Sequence, residues 1–160
     1  MSLQKLTLAI NNLDNQIANY KILHPKISKN TIAWHIDHSL KVINNVCATT
    51  HTSDPTTYND NFNLLGKVFF TLGFFPRGKA KAPKHVLPPE TITKQDLVQQ
   101  IILAQSNIAK LNNLDKNAYF IHPLFGNINT KRIPKFLAMH TNHHIKIIND
   151  ILKQQKTLSK

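Results

Sequence analysis

The sequence contains a single cysteine, Cys47, which excludes an intrachain disulfide and any zinc site built from several cysteines. Only 4 of its 160 residues are glycine, fewer than an all-β protein with many tight turns needs. No run of about 18 apolar residues occurs, so no membrane-spanning helix is expected. The amphipathic start does not resemble a signal peptide, and we therefore expect a helical, cytoplasmic protein.

Acidic residues are also scarce, with 8 Asp and Glu against 20 Lys and Arg, and the formal net charge is +12. Such a surface attracts anions, including nucleic acid. Most of the lysines are scattered, and the only dense basic run is RGKAKAPKH, residues 77–85. We expect a solvated basic loop there, with anion binding by Arg77, Lys79 and Lys81 as the alternative. No glycine-rich nucleotide-binding loop is present.

Four segments show apolar residues at spacings of three and four, the pattern of an amphipathic helix. They span residues 3–23, 28–50, 93–111 and 130–152, and Ser28 and Thr93 are the expected N-caps of the second and third. These segments predict an all-α protein with a single domain, residues 1–160, built as a four-helix bundle.

A long, irregular segment, residues 52–92, separates the second and third predicted helices. Its apolar part, FNLLGKVFFTLGFF, is compatible with a short helix or with an extended wall over the bundle. A connection of this length usually spans a bundle or carries function. We therefore expect it to be a crossover that joins two parallel helices.

Three histidines fall within FLAMHTNHHIKII, residues 136–148, on the last predicted helix. On a helical wheel His140 and His144 occupy the middle of the apolar face, and His143 lies at its edge. A buried polar group without a partner costs about 1–3 kcal/mol. The spacing of four residues places both rings on one side of the helix, where a shared metal ion would satisfy them.

A second cluster, WHIDHS at residues 34–39, offers a third ligand from another helix. Its wheel favours His35 as the inward ring, with His38 at the margin of the apolar face. Three neutral histidines leave coordination positions open, as in catalytic metal sites. Zinc, nickel, iron and manganese all accept imidazole ligands. The residues between His140 and His144 include no glutamate, so the zinc-protease motif is absent.

Three stretches of the sequence carry a family resemblance: SKNTIAWHIDHSL, GFFPRGKAKAP and HPLFGNINTKRIPKFLAMHTNHHIKII. They resemble a bacterial branch of the DinB/YfiT-like superfamily of metal-dependent proteins. The resemblance implies a four-helix bundle in up-down-down-up order, with one metal ligand on the second helix and His140 and His144 on the fourth. The second-helix ligand follows the capping Ser or Thr by seven residues. We predict His35, counted from Ser28, and His38, counted from Thr31, is the alternate.

The resemblance further implies a hydrolase or a transferase that uses a low-molecular-weight thiol, acting on a small-molecule substrate. The metal would activate a water or a thiol for attack. Two alternatives stay open: a nucleic-acid-binding basic module, and a metal-binding bundle without catalysis. A homodimer is compatible with each of these functions.

Other residues near the two clusters have expected roles as well. We expect His122 to stabilise the turn before the last helix, and Cys47 to be a small buried apolar residue. Asp37 either orients a neighbouring histidine or is solvated, and its position on the wheel favours solvation. Trp34 is expected to wall a pocket or to pack in the core.

Overall fold

The computed structural model describes residues 3–78 and 82–158, and these are mostly helical. This part of the chain contains five α-helices and one two-stranded sheet. The elements in chain order are α1 (Leu3–Asn15), α2 (Ile32–Thr52), α3 (Leu64–Leu72), α4 (Lys94–Lys110), β1 (Tyr119–His122), β2 (Gly126–Asn129) and α5 (Ile133–Leu158). None of the helices in the described ranges is long and apolar enough to cross a membrane.

The four long helices pack around one apolar core. Helix α1 contacts α4 and α5, and α2 also contacts α4 and α5. The largest side chains that are fully buried come from all four helices and from β2: Leu6, Ile10, Leu13, Ile32, Ile36, Leu40, Ile43, Leu97, Ile128, Ile133, Leu137 and Ile148. The apolar stripes predicted from the sequence therefore face the core.

The relative directions of the helices follow from side-chain pairs between them. Asp37 contacts Gln100, and seven residues later Asn44 contacts Asn107, so α2 and α4 run parallel. Between α2 and α5, His35 contacts His144 and, three residues later, His38 contacts His140. The order is reversed, so these two helices are antiparallel. A parallel α2 and α4 require the long crossover expected from the sequence.

Helix α1 ends at Asn15, well before the predicted residue 23, and is followed by a 3₁₀ turn at Ile17–Asn19. After this turn, two backbone carbonyl groups accept hydrogen bonds from the first residues of α2. The N–H of Ile32 donates to Ile22 O at 2.9 Å, and that of Ala33 donates to Tyr20 O at 2.7 Å. These carbonyls satisfy the free N–H groups of α2, which explains why α1 does not continue.

Helix α2 begins at Ile32, after the N-cap Thr31, whose hydroxyl accepts the N–H of Trp34 at 3.3 Å. The prediction of Ser28 as the cap is wrong, because the helix begins four residues after it, and its hydroxyl instead accepts the N–H of Asn30 at 3.0 Å and contacts the ring of His35. At α4 the predicted cap is confirmed, since Thr93 and Asp96 form a reciprocal capping box.

The crossover contains the short helix α3, one of the two forms expected for its apolar part. Helix α3 ends at Leu72, and the residue that caps it, Gly73, has a left-handed φ of 74°. Its N-cap, Asn63, binds the tip of the hairpin: its N–H donates to Phe125 O at 3.1 Å and its side chain to Leu124 O at 2.7 Å. The crossover is therefore packed against the segment that precedes α5.

The antiparallel hairpin of β1 and β2 is not predicted by the sequence pattern, and its pairs extend from Tyr119 with Asn129 to His122 with Gly126. It also delays the start of α5 to Ile133, three residues after the predicted Thr130. The N–H of Thr130 donates to Ala118 O at 3.0 Å, which continues the hairpin. At its other end α5 runs to Leu158, beyond the predicted residue 152.

Candidate metal centre

Three histidines converge between α2 and α5. His38, His140 and His144 each present one ring nitrogen as a ligand atom, and these atoms all lie within 4.8 Å of one another. The ring centroids are 4.8–5.2 Å apart. Metal–nitrogen bonds of about 2.1 Å place ligand nitrogens within about 4 Å of each other, so small ring movements would let the three share an ion.

The orientation of His38 is set by the crossover. Its Nδ1 lies 2.9 Å from the carbonyl oxygen of Val86, which is buried in the 3₁₀ turn Lys84–Val86. A carbonyl only accepts, so Nδ1 carries the proton and Nε2 keeps its lone pair. Trp34 stacks on the same ring, with centroids 5.0 Å apart. A backbone carbonyl on the second ring nitrogen is the usual support of a metal-binding histidine.

His144 is supported in the same way by another histidine. Its Nδ1 lies 3.0 Å from Nδ1 of His35, and Nε2 of His35 lies 2.9 Å from the hydroxyl of Ser28. One proton is shared between the two Nδ1 atoms. When His144 donates it, Nε2 of His144 is free for an ion, and His35 donates from Nε2 to Ser28. Both nitrogens of His35 are therefore already engaged.

The hydrogen bonding of His140 indicates whether the three rings are suited to a metal ion. Its Nδ1 is buried and has no hydrogen-bond partner among the described residues, while the residue as a whole is only partly buried. Leaving such an atom unsatisfied costs about 1–3 kcal/mol. A divalent ion bound through this nitrogen, together with His38 and His144, would remove this cost, so the donor set fits a metal.

The electrostatics keep these rings neutral. Burial lowers the pKa of His140 and of His144 well below the ordinary value, and neighbouring histidines lower it further. Burial also lowers the pKa of His35 to about 4. For His38 burial outweighs the opposing hydrogen bond to Val86, so its pKa is lowered as well. Metal ligation requires neutral imidazoles, and this cluster provides them near neutral pH.

The structure groups His38, the alternate of the sequence analysis, with His140 and His144. His35, the first choice, lies beside them and contacts His144. The observed N-cap accounts for the difference. A count of seven residues from Ser28 reaches His35, whereas the same count from Thr31, the residue that caps α2, reaches His38. Which of the two binds an ion remains a prediction.

Asp37 is buried, contrary to the solvated position that its place on the helical wheel favours. Its carboxylate is only 2% exposed, and it forms an ion pair with Lys41 at 2.9 Å and accepts a hydrogen bond from Gln100. The lysine one helical turn later is the sequence signal for the ion pair, whereas the burial depends on the packing of α4. Asp37 therefore links α2 to α4 and does not belong to the histidine cluster.

Two further expectations are confirmed. His122 stabilises its turn, because its Nδ1 accepts the N–H of Leu124 at 3.1 Å and its ring stacks on Phe125. Cys47 is buried, and burial raises the pKa of its thiol to about 12, so it is an inert apolar residue. Trp34 packs against the rings of His35, His38 and His144, as a wall of the site.

Of the basic residues in the crossover, Arg77 pairs with Asp150 of α5 at 2.6 Å. Lys79 and Lys81 lie outside the described residues. Next to Arg77, the ring of His143 is held by the crossover, with its Nδ1 3.0 Å from Phe75 O.

Comparisons of the chain with family models, with curated proteins and with solved structures each gave no match. The function is therefore inferred from the geometry of the cluster and from the motifs of the sequence.

Proposed function

We propose that this protein binds a divalent metal through His38, His140 and His144 and uses it as a metal-dependent hydrolase or thiol-dependent transferase. The observation that carries the proposal is the buried Nδ1 of His140, which has no partner in the described structure and belongs to a ring that lies beside two further imidazoles. Neutral rings from two packed helices around such an atom are the arrangement of a metal site with open positions.

The proposal includes the DinB/YfiT-like four-helix bundle in up-down-down-up order, with α1, α2, α4 and α5 as its helices. The parallel packing of α2 and α4 and the antiparallel packing of α2 and α5 support this order. The short α3 and the hairpin are then additions between the bundle helices.

The chain's own residues hold and shield the site. Val86 and His35 orient the rings of His38 and His144, and Trp34 covers the cluster on the α2 side. The partly exposed His140 marks the side open to solvent. A bound zinc, nickel, iron or manganese ion would supply Lewis acidity and lower the pKa of a coordinated water or thiol.

The test is the metal content of protein purified without a histidine tag and then supplied with zinc, nickel or manganese. Wild type is expected to retain about one ion per chain, and His140→Ala to retain none above background. His51→Ala is the matched control, because it removes an exposed histidine of α2 outside the cluster. Equal metal content in wild type and His140→Ala would refute the proposed site.

The catalytic part is tested on the metal-loaded protein with two substrate panels. Activated esters report hydrolysis, and alkylating electrophiles with added low-molecular-weight thiols report transfer. Turnover in either panel that is lost in His140→Ala and kept in His51→Ala supports the enzyme. Retained metal without turnover in both panels would instead support the non-catalytic metal-binding bundle.

A further inference from the structure

A cavity of about 240 Å³ lies between the crossover and α5, beside the histidine cluster. This is smaller than the pockets of drug-sized ligands, which measure about 300–1,000 Å³, so only a small ligand fits. One wall is the crossover segment from Gly73 to Arg77, and the other is the face of α5 that carries Met139, Asn142, His143 and Lys146.

The cavity combines an apolar part with two cations. Phe74, Phe75 and Met139 provide the apolar surface, whereas Arg77 and Lys146 provide the charge. Lys146 is exposed and makes no ion pair within residues 3–78 and 82–158. Among the described residues, the side chain of Arg77 makes one hydrogen bond, to Asp150, so its other N–H groups can donate to a ligand. Even after Asp150 offsets one charge, Lys146 leaves the cavity positive.

The cavity adjoins the candidate metal centre through α5. His143 lines it, and the ring of His143 lies 5.0 Å from the ring of His144. Met139 lines it and directly precedes His140.

We propose that this cavity binds the anionic group of a small organic substrate, with Lys146 and Arg77 as its cationic partners and the phenylalanines beside its apolar part. This rests on the proposed function, because the bound anion would place the rest of the substrate toward the histidine cluster. A carboxylate or a phosphate satisfies the same two cations. Charge-assisted hydrogen bonds to Arg and Lys are stronger than neutral ones, so they select anions over neutral analogues.

The experiment uses the full chain loaded with zinc and two probes of the same shape, benzoate and neutral benzamide. Binding is followed by backbone amide shifts in NMR titrations. Benzoate is expected to move the signals of residues 73–77 and 139–146, and benzamide to bind at least about tenfold more weakly. Inorganic phosphate in a parallel titration distinguishes phosphate from carboxylate binding. Equal affinity for benzoate and benzamide, or shifts confined to other residues, would overturn the proposal.

Matched variants distinguish a direct contact between Lys146 and the anion from the general effect of a positive charge on α5. Lys146→Gln should weaken benzoate binding by about tenfold. Lys153→Gln removes the same charge from an exposed position two turns further along the same face of α5, and should change binding by less than about twofold.

Arg77→Gln should also weaken the binding of benzoate. Asp150→Asn should leave it unchanged or tighten it, since it frees Arg77. Weaker binding in Asp150→Asn than in wild type would overturn the role of Arg77 as a partner of the anion.

The outcomes for the two sites can be told apart. Zinc retained without benzoate binding would refute the anion site and leave the metal proposal standing. Benzoate binding by a protein that retains no zinc would refute the metal proposal, and the anion site would then be independent of a metal centre.

Discussion

At the residue scale, the number of ring nitrogens that are hydrogen-bonded distinguishes a metal-binding histidine from one that only orients a neighbouring ring. His38 has its Nδ1 on the carbonyl of Val86, and His35 has both nitrogens engaged, by His144 and by Ser28. A ring with both nitrogens occupied has no lone pair to offer without losing a hydrogen bond. We therefore predict that His38 binds the ion and that His35 orients the ring of His144.

This assignment predicts different losses in two single variants. His38→Ala removes a ligand and should abolish zinc binding at micromolar concentrations. His35→Ala removes only a partner of a ligand and should weaken zinc binding by about 10–100-fold. Competition with a chromophoric chelator measures both affinities.

Ser28→Ala is the milder control for this comparison, because it removes the hydroxyl contact of His35 but keeps both imidazoles. Its loss of zinc affinity should be smaller than that of His35→Ala. A larger loss in His35→Ala than in His38→Ala would reverse the assignment and return His35, the first choice from the sequence, to the ligand set.

At the element scale, the hairpin that precedes α5 packs closely against the crossover at one glycine, Gly126. Gly126 has a φ of 80°, and a Cβ added there would lie 2.6 Å from the backbone oxygen of Asn61. The side chain of Asn61 accepts the N–H of Asn127 in the same contact. This position therefore requires glycine for two reasons, the left-handed backbone and the close approach of another segment.

Gly126→Ala should accordingly destabilise the protein more than Gly73→Ala. Gly73 has a similar φ of 74°, but nothing lies within 4 Å of the Cβ that would be added there. Gly73→Ala should cost about 1 kcal/mol from backbone strain alone, and Gly126→Ala about 2–4 kcal/mol from strain and steric clash together. Urea denaturation of the two variants measures the difference. Equal losses would show that Asn61 moves aside without cost.

The elements also differ in how far the sequence predicts them. Thr93 and Asp96 lie three residues apart and interact locally, so the sequence predicts the start of α4 correctly. Both Ser28 and Thr31 are residue types that cap helices, and the sequence does not show that the hydroxyl of Ser28 binds Asn30 and His35 while that of Thr31 caps α2. The hairpin strands have only four residues each, so they give a weak sequence pattern, and the hairpin forms hydrogen bonds with Asn61 and Asn63, which are distant in the chain.

At the scale of the whole molecule, burial of the histidines makes stability depend on pH. The folded state lowers the pKa of six histidines from the ordinary value of 6.5, namely His35, His38, His122, His140, His143 and His144. Between pH 6.5 and the lowered values, the unfolded chain binds more protons than the folded chain. Acid therefore favours unfolding in that window, and stability falls as the pH falls.

We expect the metal-free protein to unfold at a clearly lower urea concentration at pH 5.0 than at pH 7.5. Folding lowers the pKa of His35 from 6.5 to about 4. A tenfold weaker affinity of the folded state for a proton corresponds to about 1.4 kcal/mol of stability lost once the pH lies below both pKa values. Between pH 7.5 and 8.5 the midpoint should be nearly constant, because the rings are neutral in both states. Equal midpoints at pH 5.0 and 7.5 would contradict the burial of these rings.

The sequence by itself determined the helical class of the protein, the apolar faces of its long helices and the presence of imidazoles on two of those faces. These properties depend on the spacing of residues within one helix, which is a local matter. The tertiary structure decided the rest, because it depends on segments far apart in the chain. It placed Val86 of the crossover on His38, left Nδ1 of His140 without a partner among the described residues, and formed the cavity of Arg77 and Lys146 against α5.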